Sequence, residues 1–141
     1  MKTLVIHPKD KTTDFLKPIY QNIPDKTIIT GGINQESLNQ LIEDHDRILF
    51  MGHGSPYGLF TVNQFNTKSS YIVGDNAVKT LKNKDNVLYL WCNADKFVNH
   101  HKLKGLYSGM FISELFEAIY CNVNARSEEH TFELQSRFGI S

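Results

Sequence analysis

Two cysteines in 141 residues, Cys92 and Cys121, cannot make a disulfide framework, so the fold has to rest on a hydrophobic core. A chain of this size is large enough for that, since a compact domain of roughly 150 residues buries about two thirds of its unfolded surface. Net charge is also missing: 15 Lys and Arg balance 15 Asp and Glu. Without a basic field there is no electrostatic reason to expect nucleic acid or an anionic membrane as partner. No apolar run approaches the roughly 18 residues of a membrane span, and Thr3-Leu4-Val5-Ile6 stops at His7-Pro8, too soon for a signal peptide. These absences leave a single soluble, cytoplasmic globular domain as the expectation, with no metal or cofactor implied.

What the chain does contain is a succession of short apolar runs alternating with helix-like spacings. Lys2 to His7, Lys26 to Thr30, Ile48 to Met51 and Asn86 to Cys92 read as strands, the last two as strands covered on both faces. Between them, Thr13 or Asp14 is expected to cap a helix carrying Leu16 and Ile19, Asn34 one carrying Leu38 and Ile42, and Asp75 one carrying Val78 and Leu81. Leu59 to Val62, Tyr71 to Val73 and Leu106-Tyr107 read as short strands, and Met110 to Tyr120 as a further helix. The alternation predicts a three-layer α/β domain, a mainly parallel sheet with helices on both faces.

In such sheets the working crevice lies beyond the carboxyl ends of the strands. His53 follows one buried run and Cys92 ends another. If those strands are neighbours about 4.8 Å apart, an imidazole and a thiol face one cleft, the pairing required by a thiol nucleophile and its acid/base partner. Gly54, with no side chain to obstruct a substrate carbonyl, offers an N–H that with that of Cys92 would form an oxyanion site. Ser55, Asn93, Asp95 and Ser108 are the other polar residues expected around this cleft. Each feature also has a plainer account: cysteine is commonly a small buried hydrophobe, His-Gly is an ordinary turn, and Ser108 is a natural helix cap.

Met51-Gly52-His53-Gly54 and Leu90-Trp91-Cys92-Asn93 resemble the His and Cys blocks of the caspase-like fold, which includes caspases, legumains, gingipains and the CHAT domains, and they stand nearest the CHAT form. The resemblance implies a His53/Cys92 dyad and a peptide or protein as substrate or partner. It departs at Trp91, where a small residue usually precedes the nucleophile. The blocks His53 to Phe60, Trp91 to Asp95 and Tyr107 to Glu114 also resemble a group of small gut-bacterial proteins, which implies no activity. The alternatives are a non-catalytic relative that binds a ligand or protein through the same cleft, and a module of flavodoxin-like topology in which His53 and Cys92 are incidental.

Other patterns point elsewhere more weakly. His53-Gly54-Ser55 resembles an α/β-hydrolase oxyanion loop, but there is no Gly-x-Ser-x-Gly elbow. His100-His101 with Cys92 and Asp95 has no usual zinc spacing and reads as a solvated loop. Thr30-Gly31-Gly32 lacks the Walker lysine and reads as a turn. The segment Arg126 to Ser141 closely resembles the translation of a sequencing adapter, so the expected natural domain is residues 1–125, cut short at its C-terminal side, with 126–141 a non-native tail.

Overall fold

A computed structural model describes residues 1–109 of the chain. The helix expected from Met110 to Tyr120, the residues Ser113, Glu114 and Cys121, and the tail from Arg126 lie outside the described residues.

Five strands form one wholly parallel sheet: β1 (Thr3–Ile6), β2 (Lys26–Ile29), β3 (Arg47–Met51), β7 (Val87–Leu90) and β8 (Leu106–Tyr107), in the order β2-β1-β3-β7-β8. The order has a physical basis in the sequence. After Thr3 and Arg47, the strands β1, β3 and β7 are runs of aliphatic and aromatic residues, and they occupy the centre of the sheet. The strand β2 carries Lys26 and Thr27 and lies at an edge, where Ile28 is left 42% exposed.

The chain moves outward from β1 to β2 through a 3-10 helix, Lys11–Ile19, and then reverses to β3 through α1 (Gln35–Asp44). Right-handed crossovers in opposite directions put these two connections on opposite faces of the sheet, giving the three layers. The helix α2 (Asp75–Leu81) packs beside α1. Asn34 caps α1 as its sequence predicts, accepting from the Ser37 N–H at 2.8 Å. The other two caps differ from expectation. Asp10, not Thr13 or Asp14, caps the 3-10 helix, because its carboxylate reaches the Thr12 N–H, and Gly74 rather than Asp75 precedes α2.

Between β3 and α2 the chain inserts a small antiparallel sheet of β4 (Gly54–Ser55), β5 (Gly58–Phe60) and β6 (Tyr71–Val73). It projects from the carboxyl end of β3. The helix α3 (Ala94–His100), absent from the sequence reading, follows β7 directly and buries Ala94, Phe97 and Val98. Its burial explains why this stretch is not the loop expected there: Phe97 packs on Trp91 with ring centroids 5.4 Å apart, inside a cluster with Tyr89 and Phe50. His100 and His101 accordingly sit at the end of a helix, and His101 faces Asp75 of α2 at 3.3 Å. Among the described residues, no helix is long and apolar enough to cross a membrane.

Candidate active site at the carboxyl edge of the sheet

The site begins with the register of β3 and β7. These strands are neighbours, Met51 pairs with Leu90, and the Gly52 N–H donates to the Leu90 carbonyl at 3.1 Å, extending the ladder past β3. His53 and Cys92 therefore each follow the Met51–Leu90 pair by two residues. The two chains then part. Gly52, at φ +151°, turns the backbone into the β4–β5 hairpin, a conformation that favours glycine, and Asn93, at φ 64° in the left-handed region, turns the other chain into α3. Cys92 thus stands on a strand-to-helix turn, half-buried against the core, and His53 at the root of a hairpin with 43% of its side chain exposed.

Sequence reasoning missed the partners of the imidazole. His53 Nε2 lies 2.5 Å from Thr12 Oγ1, in the first turn of the 3-10 helix, and 3.4 Å from Asp10 Oδ2, its cap, both on the opposite side from Cys92. Asp10 also accepts from the Thr12 hydroxyl at 2.8 Å and from its N–H at 2.9 Å, so the three residues form one connected group. Those two bonds to Thr12, above all, hold the Asp10 carboxyl below its ordinary pKa, with the His53 charge a lesser contribution. The group spans β1 and β3, the point where the sheet order reverses and where ligands of open α/β sheets usually bind. The available signal was an Asp-x-Thr pattern just beyond a strand end; 43 positions separate it from His53.

Several expected cleft residues have structural work instead. Gly54 is small because of Trp91: a Cβ there would fall inside the indole, and would stand 2.5 Å from the Gly58 carbonyl oxygen. The space beside it is filled, not left open for a substrate. Its N–H still faces away from β5, because His53 and Phe60 make the hydrogen-bonded pair and Gly54–Leu59 is the adjacent non-bonded one. The Ser55 hydroxyl bonds the Tyr71 hydroxyl at 2.9 Å, and the Ser55 carbonyl accepts from Trp91 Nε1 at 2.9 Å. Ser108 is fully buried, and its hydroxyl donates to the Trp91 carbonyl at 2.6 Å, tying β8 to β7, while the helix it was expected to cap lies outside the described residues. The Asn93 N–H is taken by the Gly109 carbonyl and the Ala94 N–H by the Trp91 carbonyl, and the Cys92 N–H has no backbone acceptor among the described residues. Asp95 turns one carboxylate oxygen inward, where it meets no partner among the described residues.

No protein-family model matches the chain, and no curated protein matches it. A solved structure of an NADPH-quinone reductase from P. pentosaceus is similar at 16% identity over the whole of both chains, with a TM-score of 0.44.

Gly31 stands at a bend beyond β2, and Gly32 has φ +82°. Gly32 donates to the Gln64 carbonyl at 2.7 Å and accepts from Asn66 at 2.8 Å, and a side chain at Gly31 would collide with Gln64.

Proposed function

We propose that the chain is a caspase-like domain carrying out acyl transfer at Cys92, with His53 as acid and base, on an amide of a peptide or protein inside the cell. The observation that carries this reading is that His53 and Cys92 each stand two residues past the last pair of two neighbouring central strands. The Asp10–Thr12–His53 group adds to it. A carboxylate and a hydroxyl at Nε2 fix the ring, leaving Nδ1 as the nitrogen for proton exchange, the arrangement by which a third group orients a catalytic base.

In the proposed reaction His53 takes the thiol proton as Cys92 sulfur attacks the substrate carbonyl carbon. The C–N bond then breaks, the amine leaves with the proton from His53, and water hydrolyses the thioester to release the acid and restore the thiol. The N–H groups of Cys92 and Gly54 are the donors available to the oxyanion.

The test is the rate of Cys92 alkylation by iodoacetamide across the neutral range, in the parent chain and in His53→Ala, read by mass spectrometry on the Cys92 peptide so that Cys121 does not contribute. The proposal expects a reactive thiolate at neutral pH that is lost in His53→Ala. Identical profiles would remove the catalytic reading and favour a non-catalytic binding module, which is supported by the half-buried thiol packed against the core.

A further inference from the structure

A second feature at the carboxyl edge lies outside the His53/Cys92 pair. A cavity of about 260 Å³ opens between the ends of β1 and β2 and the 3-10 helix, and Lys9, Lys11 and Lys17 all line it. Asp14 is the one acidic residue in its wall, and it pairs with Lys17 at 3.5 Å. Lys9 and Lys11 have no ion-pair partner among the described residues, so the cavity wall carries two uncompensated positive charges. This concentration is local, because the chain as a whole has no net charge.

The remaining wall is polar and already ordered. His7 and Tyr20 are nearly inaccessible, His7 Nδ1 bonds the Tyr20 hydroxyl at 2.8 Å, and His7 Nε2 bonds Thr13 at 3.1 Å. Burial lowers the His7 pKa, so this side of the cavity remains neutral. On the other side, the Lys9 N–H donates to the Thr30 carbonyl at 3.0 Å, which ties the lysine-bearing loop to the end of β2. Lys9 on the anchored loop and Lys11 at the start of the 3-10 helix lose less freedom on meeting an anion than two lysines on separate mobile segments.

We propose that this cavity binds a single phosphate group, either free or as the monoester of a small alcohol. Charge and size argue for it together. Two unpaired ammonium groups match a dianion, and lysine binds phosphate as a compact point charge. Pockets for drug-sized ligands run from roughly 300 to 1,000 Å³, so this one suits one phosphate better than a nucleotide. The proposal stands independently of chemistry at Cys92, since none of the residues it uses takes part in that reaction.

The experiment is a titration of the full chain, labelled with 15N, with inorganic phosphate and with phenyl phosphate at constant ionic strength. Acetate is the monoanionic control. Saturable shifts centred on the amides of Lys9, Lys11 and Thr30 are expected, with at least about tenfold weaker affinity in the Lys9→Ala/Lys11→Ala variant. Tighter binding of phenyl phosphate identifies an ester as the ligand, and tighter binding of inorganic phosphate identifies the free ion. Both lysines are exposed, so the double variant is expected to keep the parent spectrum elsewhere. An unsaturable response, an equal response to acetate, or unchanged affinity in the folded double variant would overturn the proposal.

Discussion

His53 Nε2 stands 3.4 Å from Asp10 Oδ2, joining the loop after the first strand to the hairpin after the third. This contact, with Thr12 between the two, fixes the imidazole from the side away from Cys92. It also makes the segment from Pro8 to Thr12 part of two separate arrangements, since Lys9 and Lys11 flank Asp10 and line the phosphate-sized cavity.

Asp10 gives a prediction whose sign follows from its lowered pKa. A carboxylate depressed in the folded state adds stability above its ordinary value of 3.8, and that contribution disappears as pH falls through the lower folded value. The difference in Tm between the parent and Asp10→Ala should be full at neutral pH and shrink in acid below pH 3.8. Asp10→Asn retains a competent helix cap and should lose less. A pH-independent difference between parent and Asp10→Ala would count against this account.

At His7 the sign is worked out in the same way for a base. Its pKa is lowered from 6.5, chiefly by burial, so the folded state resists protonation and stability declines as pH falls from 6.5 through the folded value. His7→Gln should flatten that decline in thermal melts. Tyr20→Phe removes the hydroxyl that satisfies His7 Nδ1 and should cost about 1–3 kcal/mol at neutral pH, measured by urea denaturation.

Gly54 tests the packing account of the hairpin. A Cβ at this position meets the Trp91 indole and a backbone carbonyl, neither of which can yield without moving the hairpin or the core. Gly54→Ala should destabilise the fold by about 1–3 kcal/mol. A neutral outcome would mean that the indole has room to withdraw.

Tyr89 gives the opposite expectation. Its side chain is fully buried and its hydroxyl has no partner among the described residues, so the hydroxyl is a cost to the fold and burial raises its pKa. Tyr89→Phe keeps the ring contacts with Phe50, Trp91 and Phe97 and should leave stability unchanged or raise it by about 1 kcal/mol. A clear loss of stability would reveal a partner for the hydroxyl.

The three central strands were legible in the sequence because a parallel strand buried on both faces must be apolar throughout, as Leu4 to Ile6, Ile48 to Met51 and Val87 to Leu90 are. The helix α3 was hidden behind Asn93-Ala94-Asp95, which reads as a turn. Its signal was the apolar spacing of Ala94, Phe97 and Val98, one face of seven residues. At the site, the strand-end positions of His53 and Cys92 could be read from local pattern, and the structure makes their strands neighbours. The Asp10 contact could not, because no local rule joins positions 10 and 53; only the sheet order brings them together. Ser108 was hard to read for a related reason: its hydroxyl is directed across the sheet to the Trp91 carbonyl, a contact set by strand order and not by local pattern.

Trp91 is the single tryptophan of the chain, fully buried, bonded through its indole N–H to the Ser55 carbonyl and adjacent in sequence to Cys92. The protein therefore contains its own fluorophore at the junction of the hairpin and the thiol. Release of the hairpin exposes the indole to water and shifts its emission to the red, whereas chemistry at Cys92 that leaves the hairpin in place changes intensity at a constant wavelength. One emission spectrum separates movement of the site from reaction within it, with no label added.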